Sequence, residues 1–436
     1  MAAGAWQLRR FRLFWTGDTI SSAGGALSAV ALPLLAIETL HASDTQVGVL
    51  RAAQTLPFLL LAVPIGLLAD RVSRRRLLLA ADAVRVPLVG AIALTGASLP
   101  VSALVTLVFV TGIATVAYEV AYLSALPDLV DSPASLPAAN RAVESSHATA
   151  ALLGPAAGGA LVAAMSAPAV IALDAVSFAV GAALTAINRW ERPRPAPPPA
   201  PASTALAPAR PPTDPVDAET QGSATHHAAG PASNPPRGLA AGWQWLRRDP
   251  YVRPLTLYLA ANNLAAQAFQ TALLLFVTRT LGLGAGAVGL AVAAIGGGFL
   301  GGALASPAMA RRFGTGRLLI AASMIGATGI ATAAGPTLAF VLAGSALSGI
   351  GSGLFNLHSI AIRQAITPPG LLGRVNATVK TVSYGATTVG AVLGGLAAAA
   401  SGPPTVIVTA ALVSAAATGF LLTPAVRTLA GTPAAR

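Results

Sequence analysis

The chain has 436 residues, 54% of them hydrophobic and 10% charged, with a formal net charge of +12 and a mean hydropathy of +0.69. Soluble domains carry about 25% charged residues, so this composition excludes a water-soluble enzyme or binding module and points to a chain solvated mainly by lipid. The positive charge does not mark a nucleic-acid binder, because the arginines cluster between apolar runs rather than along one face; the absence of cysteine excludes disulfides and thiolate metal sites.

A helix needs about 20 apolar residues to cross a hydrocarbon core of about 30 Å, and backbone in lipid must satisfy its own hydrogen bonds. Twelve such runs are expected, at 13–37, 46–69, 77–97, 100–123, 140–164, 167–188, 253–279, 285–309, 317–335, 337–360, 375–399 and 403–423. The first shows no cleavable leader and is read as a retained span. Arg9, Arg10 and Arg12 precede it, and Arg71, Arg74, Arg75 and Arg76 follow the second. The same side collects Arg141, Arg189, Arg247, Arg248, Arg311, Arg312, Arg317, Arg363, Arg374 and Arg427, against little beyond Arg51 and Arg279 opposite. Positive charge favours the cytoplasm, so a multi-pass protein of a bacterial inner membrane with both termini cytoplasmic is expected.

Ionisable groups inside a membrane cost at least about 2.5–3.5 kcal/mol and are functional candidates by default. Asp18, two turns into the first span, is a substrate or proton contact or a packing residue near the cytoplasmic mouth. Arg51 and Gln54 are cavity-lining candidates nearer the outer face. Asp82 and Arg85, three apart in the third span, share a face and pair. Glu119, between Tyr118 and Tyr122 and near the end of the fourth, either takes up a proton or pairs with Arg85 or Arg141. Arg141, Glu144 and His147 share a face of the fifth span; the first two and Lys380 suggest a cytoplasmic gate, while His147 reads as a satisfied interior histidine. Gly154, Pro155, Gly158 and Gly159 allow tight helix packing. Asp174 has no basic neighbour along its helix and is a proton-carrier candidate.

Residues 191–237 are rich in proline and lack apolar periodicity, which reads as a disordered cytoplasmic linker; His226 and His227 within it are incidental rather than a metal site. GLAAGWQWLRRDP then suggests an amphipathic helix, with Trp243, Trp245 and Leu246 at the headgroup boundary. In the seventh span Asn262, Asn263, Gln267 and Gln270 are candidates to line a cavity without charge. An offset of 236 residues places Asn140 on Asn376, Gly154, Gly158 and Gly159 on Gly390, Gly394 and Gly395, Gly66 on Gly302 and Glu144 on Lys380. This repeat divides the chain into an N-terminal six-helix bundle at 1–190, the linker, and an amphipathic helix with a C-terminal six-helix bundle at 238–436.

GLLADRVSRRRLL, with Gly66, Asp70, Arg71, Arg74 and Arg75, resembles the loop signature that major facilitator proteins carry between spans two and three; GALASPAMARR matches it in the second half, with Ser306 in place of the aspartate. GPAAGG resembles the Gly-Pro motif of drug-exporting antiporters, although Ala150 stands where many members have glycine. FRLFWTGDTISSAGGALSAVALPLLA, VAYEVAYLSALPDLV, LDAVSFAVGAAL and LLGRVNATVKTVSYG are similar to the branch containing enterobactin exporters and macrolide efflux pumps. The resemblance implies an all-α membrane protein of twelve helices in two pseudo-symmetric bundles, working by alternating access and usually driven by protons moving inward. The loop residues would latch the cytoplasmic ends, aided by Asp82, Arg85, Arg141, Glu144 and Lys380.

The sequence lacks GK[ST] after a Gly-rich loop, HExxH and any Ser/His/Asp constellation, so neither an enzyme nor a primary pump is expected. The expectation is a monomeric exporter of a small molecule by proton antiport. No cofactor, metal or nucleic acid is called for; the proton gradient supplies the energy, and the partners are the substrate and the bilayer. The few buried charges point to a lipophilic substrate such as a drug, antibiotic or secondary metabolite. A siderophore or metabolite exporter, an importer, and a non-transporting membrane partner protein are the alternatives.

Overall fold

A computed structural model describes residues 4–69, 71–188, 190 and 239–429. Asp70, Arg189, His226, His227 and the expected linker at 191–237 lie outside the described residues. The apolar runs become helices because only a helix satisfies every backbone group within one segment. In the first half these are α1 (Arg9–Leu34), α2 (Asp44–Ala69), α3 (Arg74–Thr95), α4 (Val101–Leu129), α5 (Leu136–Ala164) and α6 (Ala167–Ile187). In the second they are α7 (Val252–Leu275), α8 (Ala285–Phe313), α9 (Thr315–Thr332), α10 (Leu338–Ile366), α11 (Pro369–Ser401) and α12 (Pro403–Ala417).

Eleven of the twelve are long and apolar enough to cross a membrane by length and composition. The exception is α7, whose four amide side chains lower its hydropathy while most of its surface is packed against protein. A helix enclosed by its neighbours tolerates polar residues that lipid would not. Several helices outrun their apolar runs: α4 continues to Leu129 and α10 to Ile366. The extensions are amphipathic protein-packed turns, which hydropathy does not register.

Packing repeats between the halves. The contacts α1·α6, α1·α5, α2·α4, α3·α4 and α3·α6 recur as α7·α12, α7·α11, α8·α10, α9·α10 and α9·α12. Two extensive contacts join the halves, α2·α11 and α5·α8, with slighter ones at α2·α7 and α1·α8, and the duplication relates the members of each pair. Both α1 and α7 end in one π-helical turn, Leu35–Thr39 and Phe276–Thr280. In the first two helices of each half the correspondence runs at a larger offset than 236, pairing Leu35 with Phe276 and Gly48 with Gly289. Ser306 is therefore not the counterpart of Asp70. It is fully buried inside α8, where its hydroxyl donates to the Leu354 carbonyl at 3.0 Å.

The end of the molecule away from the arginine clusters is sealed. A Cβ built on Gly48 would lie 2.7 Å from the Ala391 carbonyl and 2.8 Å from Gly395 Cα; one on Gly159 would lie 2.6 Å from the Ala285 carbonyl and 2.7 Å from Gly289 Cα. These two crossings bring α2 onto α11 and α5 onto α8 at backbone contact. Arg279 reaches across the halves to the Asp44 carboxylate and the Ala42 carbonyl. At the arginine-rich end Gly66 of the loop signature has no close neighbour, since nothing lies within 4 Å of a Cβ there. Gly301 of α8 is equally open. Neither position carries a crossing like those of the sealed end.

The short helix Leu239–Arg248 lies on α11: a Cβ on Gly242 would come within 2.6 Å of the Arg374 carbonyl. Leu246 is buried with Val252, Val375 and Val379 rather than placed at a headgroup boundary, and Trp243 alone of the three remains largely exposed.

Candidate functional site

A cavity of about 740 Å³ lies between the halves. Each helix of the first half contributes an ionisable side chain to its wall: Asp18 from α1, Arg51 from α2, Arg85 from α3, Glu119 from α4, His147 from α5 and Asp174 from α6. The second half supplies Gln267, Gln270 and Leu274 of α7 and Val292 of α8, none of them charged. Apolar patches from Val30, Val89, Ile92, Val108 and Phe178 separate the polar groups. The small number of charged residues in the chain thus understates the polarity of this site, where six ionisable groups converge.

Asp18 is 3% exposed. His147 Nε2 lies 2.7 Å from its Oδ2, and the Tyr118 hydroxyl donates to Oδ1 at 3.2 Å. The neutralisation that α1 lacks along its own length comes from α5 and α4. His147 is satisfied, as its sequence context suggests, but its partner is an ionisable cavity residue. Tyr122 stacks edgewise on His147 with ring centroids 5.2 Å apart.

Asp82 and Arg85 form a buried ion pair. The Arg85 guanidinium sits between the rings of Tyr118 at 4.0 Å and Phe178 at 4.2 Å, fixing α3 against α4 and α6. Such desolvated cation–π contacts are worth about 2 kcal/mol. Asp174, also 3% exposed, accepts from the Ser177 hydroxyl at 3.4 Å. Room for it comes from α1, where a Cβ at Gly24 would lie 2.7 Å from the Asp174 carboxylate.

Glu119 differs from the expectation. Because α4 extends to Leu129, this residue lies well inside the helix rather than near its end. Arg85 is committed to Asp82, and Arg141 is exposed and makes no ion pair with Glu119. The Glu119 side chain opens onto the cavity instead. Asn262 and Asn263 are not in the cavity wall: α7 turns Asn262 toward α12, where its amide oxygen accepts from Ser414 at 2.8 Å. Gln267 and Gln270, one and two turns further along, face inward beside Arg51, and Gln54 joins them.

Two cavity residues were not singled out from sequence as bridges. Thr55 of α2 meets Thr388 of α11 at 3.0 Å, and one turn on Phe58 stacks on Tyr384 with centroids 5.2 Å apart and planes inclined at 15°. Their hydroxyls and rings look ordinary in the sequence, and only the α2·α11 register brings them together.

At the arginine-rich end Arg74 and Arg75 have partners in their own half. Arg74 donates to Asp128 at 2.5 Å; Arg75 donates to the carbonyls of Asn188 at 2.9 Å, Ala186 at 2.7 Å and Thr185 at 3.2 Å. The latter group closes the C-terminus of α6, where unsatisfied carbonyls attract a cation. Arg141, Glu144 and Lys380 are exposed and form no ion pair with one another among the described residues.

Against known families, residues 14–331 match the Major Facilitator Superfamily. The chain belongs to that superfamily. It is a transporter rather than an enzyme, and its multi-pass helical architecture is that of the superfamily fold. Solved structures agree. A bacterial homolog of the human lysosomal transporter Spinster, inward-facing and unoccupied, has a TM-score of 0.67 at 14% identity, covering 95% of this chain and 96% of that one. The nucleoside transporter NupG gives 0.65 at 11%, covering 95% and 98%. A POT family transporter in complex with a thioalcohol-conjugated peptide gives 0.66 at 13%, covering 96% of each. These likenesses concern the fold. No curated protein matches the sequence.

Proposed function

We propose that this transporter exports a small molecule with apolar surface from a bacterial cytoplasm in exchange for protons. The observation that carries the reading is the division of labour in the cavity: every ionisable lining residue belongs to the first half, and the second presents amides and apolar surface. One bundle then holds protons on Asp18, Glu119 or Asp174 while the other rocks past it as a neutral wall. With the arginine-rich end cytoplasmic, the glycine crossings seal the outside and the cavity opens toward the cytoplasm. Substrate enters from the cytoplasm, and the protonation state of the carboxylates biases which end is open. The apolar wall favours a molecule with a lipophilic body; the Gly154–Gly159 motif and the resemblance to efflux pumps support export.

The test is accumulation of lipophilic dyes and antibiotics in cells expressing the protein, with and without a proton uncoupler. Wild type lowers accumulation and the uncoupler abolishes the effect; Asp18→Asn, Glu119→Gln and Asp174→Asn identify the coupling carboxylate by its loss. Unchanged accumulation across a broad panel, with or without the uncoupler, counts against a broad lipophilic exporter.

A further inference from the structure

Arg51 lies on α2 one turn inside the Gly48–Gly395 crossing and lines the sealed end of the cavity. A guanidinium within a membrane is normally matched by a carboxylate, as the other cavity arginine is by Asp82. Among the described residues Arg51 has no such match. Its partners are two neutral amides on α7, across the boundary between the halves. Nη2 donates to Gln270 Oε1 at 3.2 Å. The Gln267 amide oxygen, in the orientation that satisfies both groups, accepts from Nη2 at 3.1 Å and from Nε at 3.3 Å. None of these three bonds uses Nη1. A desolvated guanidinium fork held by neutral acceptors beside an empty volume is built for an oxyanion, which binds it with shorter, charge-assisted hydrogen bonds.

We propose that Arg51 binds a carboxylate or similar oxyanion of the transported molecule and that this contact releases the outer gate. The inference rests on the cavity being the transport site. Opening the sealed end must part α2 from α7, which strips Arg51 of both amide oxygens and leaves a desolvated cation without acceptors. An oxyanion that travels with Arg51 supplies replacements, so the loaded carrier opens outward at lower cost than the empty one. The cavity carboxylates do not compete for the site: Asp18 is engaged by His147 and Tyr118 and Asp174 by Ser177. Glu119 sits roughly 15 Å nearer the opposite opening, by helix rise along α2 and α4. The substrate class is an amphipathic organic acid, its apolar body against Phe58 and Leu274.

The chain has no cysteine, so Gln46→Cys and Gly286→Cys, at the sealed ends of α2 and α8, take spin labels cleanly. The label-to-label distance is followed in purified full-length protein in lipid nanodiscs. The probes are aryl carboxylates from benzoate to 2-naphthoate, each beside its neutral amide. The acids widen the distance and the amides do not. Arg51→Gln weakens the response to acid about tenfold or more. Gln267→Leu with Gln270→Leu does the reverse, widening the distance without ligand and tightening acid binding, which a merely structural role for Arg51 does not produce. The proposal is overturned if acids and amides act alike, if no acid moves the wild-type labels, or if Arg51→Gln responds normally. Because no flux or proton gradient is involved, acids that act as expected alongside unchanged dye accumulation would remove only the efflux reading. Dye export with indifferent acids would remove only this one.

Discussion

Asp18 and His147 stand 129 positions apart in the chain and 2.7 Å apart in the fold, with the Tyr118 hydroxyl on the other carboxylate oxygen. A hydrogen bond to a charged group contributes about 1.5–3 kcal/mol, enough for this contact to bias which state of the carrier is favoured. His147→Ala is therefore expected to leave folding and expression intact, since the side chain reaches the cavity, while flattening the pH dependence of substrate efflux from proteoliposomes. Tyr118→Phe should change that profile less. A profile for His147→Ala that superimposes on wild type would remove the pair from the coupling scheme. What the sequence offered at this scale was each ionisable residue singly. It placed Asp82 with Arg85 because three positions along a helix share a face. It had no means of joining Asp18 to His147, or of separating Glu119 from Arg141, because those relations depend on how α1, α4 and α5 are set beside one another and on where α4 stops.

The helices themselves are legible in apolar length, and the glycine motif of α5 in its spacing. The structure adds that the motif has two faces. Gly154 and Gly158 admit Ala26 and Leu27 of α1, while Gly159 meets Gly289 of the other half. The second half repeats this, Gly390 and Gly394 against Leu264 and Ala268 of α7 and Gly395 against Gly48. One face builds each bundle and the other closes the gate between them. Only the fifth and eleventh helices show this in sequence, since Gly48 and Gly289 are isolated glycines in unremarkable contexts. Overpacking a filled contact costs about 1–3 kcal/mol, which shifts a two-state equilibrium about fivefold to more than a hundredfold. Gly159→Leu, and independently Gly48→Leu, should hold the outer end ajar. A cysteine at Leu274, in the cavity wall, then becomes reactive toward an impermeant maleimide added outside intact cells, whereas the same cysteine in the otherwise native chain is protected. Gly301→Leu, facing open space, should leave the sealed end unchanged. Equal labelling of all three would mean the crossings do not form the seal.

At the scale of the whole molecule, duplication accounts for the packing but not for the chemistry. The five extensive helix pairs of one half have counterparts in the other, yet the ionisable cavity residues come from one half alone. Two symmetric bundles need only matching small residues and apolar faces to pack, so the constraints of folding keep that pattern in both. A charge inside the membrane is costly and, Arg85 apart, those of the cavity are not needed to pack the bundles, so transport is the use left for them. The fold was therefore readable from hydropathy and repeats, while the asymmetry of the cavity became visible only once the inward-facing sides of twelve helices were known. The arginine bias also fixes a direction that the packing itself leaves open. If the arginine-rich end is cytoplasmic, Thr115→Cys, in the wall of the cavity, should react with an impermeant thiol reagent in inside-out vesicles and resist it in right-side-out ones. Reactivity in the opposite vesicles would reverse the topology, and with it the side from which the open cavity collects its substrate.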